Sequence, residues 1–358
     1  MNYTARVASV AARFEELGID ALLVTNLDNV AYLTGFTGTN GQVLVTPTGA
    51  EFYTDPRYAA RSRALVHDAD IFLYEARLTD VLGDRLSSED IGQLGFEAAS
   101  VTVAQSKDLS GRLSPAELVT TTGVVEELRR TKEPEEVDLL KEAVRIGDDA
   151  FAWVQDRIVP GATEKEIALA LEVRMREAGA DAVSFEPIIG SGPLSAHIHH
   201  TPSDHSFNKG DLILMDFGCR LEGNCSDLTR TVVIGGATDE QRAIYDSVLG
   251  AQAAGISAVI AGAQGADADA AARRVIDEAG HGDAFEHGLG HGVGLEIHEA
   301  PRMSRTSEDT LSEGDVVTVE PGIYLEDFGG IRIEDCVVVT ADGCEVLGSA
   351  PKEDLIEL

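Results

Sequence analysis

Apolar residues recur along this chain in two rhythms, every second and every third or fourth position. The switches between them outline its elements. Over residues 1–127 the rhythms alternate. Residues 4–17 carry a helical pattern that ends at Gly18, and 21–25 read as a strand. Further strands are predicted at 42–46, 51–54, 71–74 and 93–96, with a helix at 56–66. A Gly/Thr-rich loop, residues 34–41, precedes the second strand. Mixed signals of this kind predict an α/β domain. The pattern changes near Leu128-Arg129-Arg130-Thr131-Lys132, so a second domain is expected over residues 128–358. There Pro134 opens a long helix to about Ile158, with Val137, Leu140, Val144, Phe151, Val154 and Ile158 at helical spacing. Thr163, with Glu166 three positions on, forms a capping box for a second helix ending at Gly179. The plan returns about 101 residues later. Thr238 with Gln241 opens a long helix, Ile260-Ala261-Gly262-Ala263 echoes Val159-Pro160-Gly161-Ala162, and another helix closes at Gly280. An internal repeat of this kind predicts two halves about a pseudo-twofold axis, helices outside and sheet inside.

Each half then carries a strand–turn–strand stretch interrupted by acids. Residues 211–234 read DLILMDFGCRLEGNCSDLTRTVVI, two apolar runs about the polar centre Arg220-Leu221-Glu222-Gly223. With the turn centred there, Asp216 and Asp227 fall opposite each other on one face, Cβ atoms about 4.5–5.5 Å apart. Residues 315–339 read DVVTVEPGIYLEDFGGIRIEDCVVV, with Glu320 and Glu334 equidistant from Asp327. Asp is a poor strand former, and two carboxylates this close repel unless a proton or a cation lies between them. One buried carboxylate is ordinarily explained by a salt bridge or a turn contact. Four, in two matching hairpins, point to a site for a hard or borderline divalent cation.

A histidine cluster lies upstream of each acid hairpin. His287-Gly288-Leu289-Gly290-His291-Gly292-Val293-Gly294-Leu295-Glu296-Ile297-His298-Glu299 places glycine at alternate positions, leaving the backbone open to close approach. Its spacing is not a dinucleotide fingerprint, and His291 and His298 are too far apart for HExxH. Ser191-Gly192-Pro193-Leu194-Ser195-Ala196-His197-Ile198-His199-His200-Thr201 takes the comparable place in the first half. His67, His205 and His281 read as structural or exposed. No Gly-x-Ser-x-Gly elbow is present, which argues against a Ser-His-Asp hydrolase.

Charge changes the picture in one respect. Acids number 62 against 28 bases, for a net charge of −34, and only six of the bases are lysine. The acids are spread along the chain rather than gathered in a tail. An evenly acidic, lysine-poor protein suggests a high-salt cytoplasm, where screening makes self-repulsion tolerable; the plainer alternative is an acidic soluble protein. Either argues against nucleic-acid or anionic-membrane partners. Residues 1–20 carry charges throughout, unlike a signal peptide, and no apolar run approaches the roughly 20 residues of a membrane span. A cytoplasmic protein is therefore expected. Cys219, Cys225, Cys336 and Cys344 have no CxxC spacing and read as free thiols.

From about Pro134 onward the chain resembles the pita-bread metallopeptidases: Xaa-Pro dipeptidases (prolidases), aminopeptidase P and methionine aminopeptidases. The resemblance rests on Leu214-Met215-Asp216-Phe217-Gly218, Ser226-Asp227-Leu228-Thr229-Arg230-Thr231, residues 290–299, Val319-Glu320-Pro321-Gly322 and Arg332-Ile333-Glu334-Asp335. Residues 1–127 look like the creatinase/prolidase N-terminal domain, through Tyr32-Leu33-Thr34-Gly35-Phe36 and Thr54-Asp55-Pro56-Arg57-Tyr58. The resemblance implies an α/β N-terminal domain plus an α+β pita-bread (creatinase/aminopeptidase) C-terminal domain with an internal pseudo-twofold repeat.

The resemblance also implies a dinuclear metal site with Asp216, Asp227, His291, Glu320 and Glu334 as ligands, Asp227 and Glu334 bridging. Manganese or cobalt comes ahead of zinc or iron, all of which suit four carboxylates and one imidazole. Glu320 would shuttle a proton, and His298 would stabilise the developing oxyanion. His199 would lie near the substrate amide. Ile198 stands where the family has proline, and His200 is adjacent, so the choice between the two histidines stays open. Arg332 is open between a hold on the free carboxylate of a C-terminal proline and a salt bridge. The implied activity is hydrolysis of the Xaa-Pro bond at peptide N-termini or in Xaa-Pro dipeptides, by a homodimer whose loop 34–41 borders the neighbouring active site. Other readings are a methionine aminopeptidase, disfavoured by the N-terminal domain, and a metal-free creatinase-like C–N hydrolase, disfavoured by the intact ligand set. A non-catalytic binding protein on this fold would show eroded ligands.

The acidity generates a test. Thermal melting should rise steeply as KCl goes from dilute to molar, and a melting point independent of salt would contradict the high-salt reading.

Overall fold

The computed structural model describes residues 1–358, which form two compact units, Met1–Arg129 and Arg130–Leu358. The first is built on a six-stranded sheet, in the order Ala69–Leu73, Gly49–Thr54, Gln42–Thr46, Ala21–Val24, Gln93–Glu97, Glu117–Thr121. Its central strand Ala21–Val24 is wholly buried, as a strand covered on both faces requires. The stretch 4–17 is two helices, Tyr3–Ala11 and Phe14–Leu17, and Gly18 at φ +64 closes the second. Helix Leu27–Thr34, absent from the sequence reading, begins where the Asn26 side chain accepts from the backbone N–H groups of Asp28 and Asn29.

The second unit carries the repeat. Helices Pro134–Val154 and Glu164–Glu177 pack on a sheet ordered Ile356–Glu357, Leu228–Val233, Leu212–Phe217, Ile188–Ser191. Helices Asp239–Ala258 and Gly265–Glu278 pack on a second sheet, Glu299–Met303, Gly290–Gly292, Val316–Val319, Asp335–Thr340, Gly343–Val346. Pro134 stands at the first position of its helix, and Thr163 and Thr238 form the expected capping boxes with Glu166 and Gln241. Leu140, Val144, Phe151 and Val154 are buried along one helical stripe. Val293, Val316, Cys225 and Cys336 join residues of both halves in one further cluster. All four cysteines are free.

The two hairpins differ in how their register is set. In the second, Val319 pairs with Asp335 and Gly322 with Arg332, so Glu320 and Glu334 do face each other about Asp327. In the first, the turn lies one residue later than the sequence reading placed it. Glu222 (φ 47) and Gly223 (φ 89) both adopt the left-handed backbone of a two-residue turn that matches strand twist. Leu221 therefore pairs with Asn224, and Asp216 faces Thr229 rather than Asp227. Asp227 instead occupies the break between Asn224–Cys225 and Leu228–Val233, diagonal to Asp216. Gly218 makes that break possible: a Cβ there would lie 1.8 Å from the Ser226 carbonyl oxygen. No helix is long and apolar enough to cross a membrane.

Candidate metal centre

The breaks in the two hairpins bring their acids to one point. Ligand atoms of Asp216, Asp227 and Glu334 lie within 4.8 Å of one another, and all three residues are buried. His291 Nε2 is 3.3 Å from Glu320 Oε1 and 3.7 Å from Asp227 Oδ2, which adds the remaining two members. The five residues expected together are thus together. Asp216, Asp227, His291 and Glu320 line a cleft of about 970 Å³ whose walls include Phe185, Ile198, His199, Ile297, His298 and Arg302, and Glu334 is buried beside them.

Hydrogen bonds from behind hold four of the five side chains, Asp227 being the exception. His291 Nδ1 lies 3.0 Å from the Gly292 carbonyl oxygen, a contact that places the proton on Nδ1 and leaves Nε2 for the centre. Thr318 Oγ1 receives the His291 backbone N–H (3.1 Å) and donates to Glu320 Oε1 (3.1 Å). Thr229, the true cross-strand partner of Asp216, donates to Glu334 Oε2 at 2.7 Å. Arg332 is fully engaged within the protein: Nη2 pairs with Asp216 Oδ2 (2.5 Å), Nε donates to Thr229 Oγ1 (3.0 Å), and Nη1 donates to Tyr324 Oη (2.9 Å). Of the two readings open for Arg332, the salt bridge is the arrangement observed. Tyr324 in turn meets His287 Nε2 at 2.8 Å.

The histidines separate likewise. His200 Nε2 is 2.8 Å from the buried carboxylate of Glu164 and so is committed inside the protein. His199 is exposed on the cleft wall. His298 is exposed on the cleft wall with its ring 4.3 Å from that of His291, edge to face. Burial, then the neighbouring His291, lowers its pKa, so it is neutral at pH 7 and still a donor. The sequence reading had given no role to Thr229, Thr318, His287, Tyr324 or Arg302. One signal was present for Tyr324. It lies on the face of Arg332, and Gly322 between them has no side chain; a Cβ there would meet the Tyr324 hydroxyl at 2.4 Å.

Electrostatics test whether a cation fits. Asp216 Oδ1, Asp227 Oδ1 and Glu334 Oε1 are buried oxygens without any hydrogen-bond partner. Buried acceptors are rarely left so. Burial and the mutual repulsion of the carboxylates push Asp227 and Glu334 well above the usual carboxylate range. Burial would raise Glu320 too, but the contact with His291 prevails and holds it down at about 2, while His291 itself is raised. These oxygens suit divalent cations, which would replace the protons and leave His291 neutral.

Protein stripped by a chelator should therefore melt lower as pH rises from about 5 toward neutrality. Native Asp227 and Glu334 there retain protons that the unfolded chain has released, and His291 does so as pH approaches neutrality, so unfolding sheds protons and stability falls with pH. Divalent metal should restore more at neutral than at acid pH. A flat melting temperature across this range in chelated protein would contradict the assignment.

Comparison with known proteins places this geometry. Residues 138–341 match metallopeptidase family M24, and residues 6–131 match the creatinase/prolidase N-terminal domain. The chain is 42% identical over 343 residues to the uncharacterised peptidase YqhT of Bacillus subtilis, covering 96% of this chain and 97% of that one. It is 33% identical to an Xaa-Pro dipeptidase of Pyrococcus horikoshii, covering 97% and 98%. A solved structure of an Xaa-Pro dipeptidase from Bacillus anthracis superposes with a TM-score of 0.97 at 40% identity, covering all of both chains. The chain belongs to metallopeptidase family M24, an enzyme with a creatinase-like N-terminal domain and a pita-bread catalytic domain.

Proposed function

We propose that this enzyme hydrolyses the bond before proline at peptide N-termini or in Xaa-Pro dipeptides. The observation that carries the reading is a division of labour in the cleft. Its base carries Asp216, Asp227, His291 and Glu320 with Glu334 buried beside them, while its walls present the exposed side chains of His199, His298 and Arg302. The names of the relatives from P. horikoshii and B. anthracis point the same way. Asp216, Asp227, His291, Glu320 and Glu334 would hold two divalent ions per chain, manganese or cobalt before zinc or iron. Such ions supply acidification of water and polarisation of the scissile carbonyl.

The protein's own groups do the rest. Glu320, ionised and held by Thr318, accepts a proton from the attacking water and returns it to the nitrogen as the C–N bond breaks. That nitrogen is a tertiary amide without N–H, so ring shape and a proton for the departing secondary amine are what the site has to provide. Neutral His298 donates a hydrogen bond to the carbonyl oxygen as charge gathers there. His199 contacts the substrate near the scissile amide, and His200 anchors the loop behind it. With Arg332 buried against Asp216, the cation for a free prolyl carboxylate is Arg302, exposed on the cleft and across the strands from His291.

Wild type should cleave Xaa-Pro peptides faster than Met-Ala, and the reverse would overturn the specificity. Arg302→Ala should hurt Xaa-Pro dipeptides at least tenfold more than Xaa-Pro tripeptides, whose carboxylate lies elsewhere; about 1.4 kcal/mol corresponds to that factor. Arg332→Ala should hurt both equally, and selective loss with this variant alone would return the carboxylate to Arg332. The enzyme should also be a homodimer, in which loop 34–41 acts as a lid on the neighbouring site. Light scattering that gives a monomer at assay concentration would rule that out.

A further inference from the structure

Glu164 is the first residue of helix Glu164–Glu177, a position at which an acid ordinarily faces water. Here it is fully buried. It is not needed to start the helix, because Thr163 and Glu166 already form the capping box. Its carboxylate accepts from five donors instead. Oε1 receives the backbone N–H of Ser191 (2.9 Å) and its hydroxyl (2.7 Å). Oε2 receives the backbone N–H of Ser203 (2.9 Å), its hydroxyl (2.7 Å) and His200 Nε2 (2.8 Å). Burial would raise its pKa, but the bonds from His200, Ser191 and Ser203 prevail, so the group stays ionised.

The donors come from both ends of one segment, residues 191–203, which leaves strand Ile188–Ser191 and carries His199 on the cleft wall. The early part of the segment has a separate anchor, Ser195 Oγ accepting the Gly330 N–H at 2.8 Å. The later part is held to the helix by the Glu164 carboxylate and by the backbone bonds from Glu164 and Lys165 to the carbonyls of His205 and Ser203. The other half of the repeat solves the same junction differently. There the counterpart of Glu164 is Gly265, and a Cβ would lie 2.2 Å from the Arg302 carbonyl oxygen. Backbone packs directly on backbone in one half, and a charged side chain reaches across in the other. His199 belongs to the half with the carboxylate.

We propose that Glu164 is a positioning residue for catalysis, its buried carboxylate clamping Ser191, His200 and Ser203 so that His199 is held at the substrate. The proposal rests on the peptidase reading above and adds a residue that acts through His199. In Glu164→Gln one oxygen becomes an NH₂ whose hydrogens face other donors, so the clamp opens with little change of volume.

The test is a double-mutant cycle on metal-loaded protein, with kcat/KM for an Xaa-Pro dipeptide measured in wild type, Glu164→Gln, His199→Ala and the double variant. Glu164→Gln should lose on the order of ten- to a hundredfold, as expected of a group misplaced by about 1 Å. Its metal content should equal that of wild type, and it should cost nothing further once His199 is gone. Equal losses in both backgrounds would mean a structural role and overturn the proposal, as would full activity of either single variant. Should Glu164→Gln fail to fold, Ser203→Ala and His200→Gln each remove or weaken one donor and are read in the same cycle, with additivity again decisive. Wild type that ignores proline but cleaves another N-terminal peptide would overturn the specificity alone. The cycle run on that peptide would then decide the clamp by the same criterion.

Discussion

The constraint on which the catalytic unit depends is the repulsion among carboxylates that the fold forces together. Two unit charges 4–5 Å apart at an effective dielectric near 20 repel by roughly 3–4 kcal/mol. Three such pairs among Asp216, Asp227 and Glu334 approach the whole stability of a domain, about 5–15 kcal/mol. Arg332 offsets this at Asp216, through an ion pair that burial makes stronger. Asp227 and Glu334 have no arginine paired with them, and each keeps one oxygen without a hydrogen-bond partner. The centre therefore holds either protons or cations, and the positions of its other groups follow from which.

The contacts behind the acids select between those states. His291 points Nε2 inward because Nδ1 is spent on the Gly292 carbonyl. Thr229 and Thr318 leave one oxygen of Glu334 and of Glu320 to the centre while holding the other or orienting it. The chain Asp216–Arg332–Tyr324–His287 ends at the Gly288 carbonyl, which fixes the tautomer of a histidine whose pKa burial has lowered. Each contact costs desolvation and is satisfied by several bonds, the condition under which a buried polar network adds rigidity.

How much of this was legible in the sequence depended on turn chemistry. The second hairpin was readable to the residue because its symmetric centre survives folding. The first was displaced because a non-glycine residue, Glu222, takes a positive φ, which its side chain gives little reason to expect. The error moved every cross-strand pair yet kept Asp216 and Asp227 on one face, so the cluster was still found. Side chains whose partners lie far along the chain were not readable. Arg332 meets Asp216 over a separation of 116 residues, and His200 meets Glu164 over 36. Either contact could be imagined from charge, but neither could be chosen over a substrate role without coordinates.

The spacing between the hairpins is set by a cation the motifs contain but do not explain. Arg230, fully buried on strand Leu228–Val233, donates to the Glu334 carbonyl (2.5 Å), to Asp335 (2.7 Å) and to the carbonyls of Ala350 and Pro351. Asp335 also takes bonds from Gln252 and Lys352. Replacing such a network with apolar side chains would often cost little stability, but apolar contacts are non-directional and would leave the two sheets free to slide by fractions of an ångström. Carboxylates that are to hold a divalent cation would not tolerate that freedom, since each ligand has to arrive within a few tenths of an ångström. A guanidinium fork bound to the Glu334 carbonyl and the Asp335 carboxylate of the opposite hairpin fixes the distance directly, which is a physical reason for a fully buried arginine three residues from Asp227.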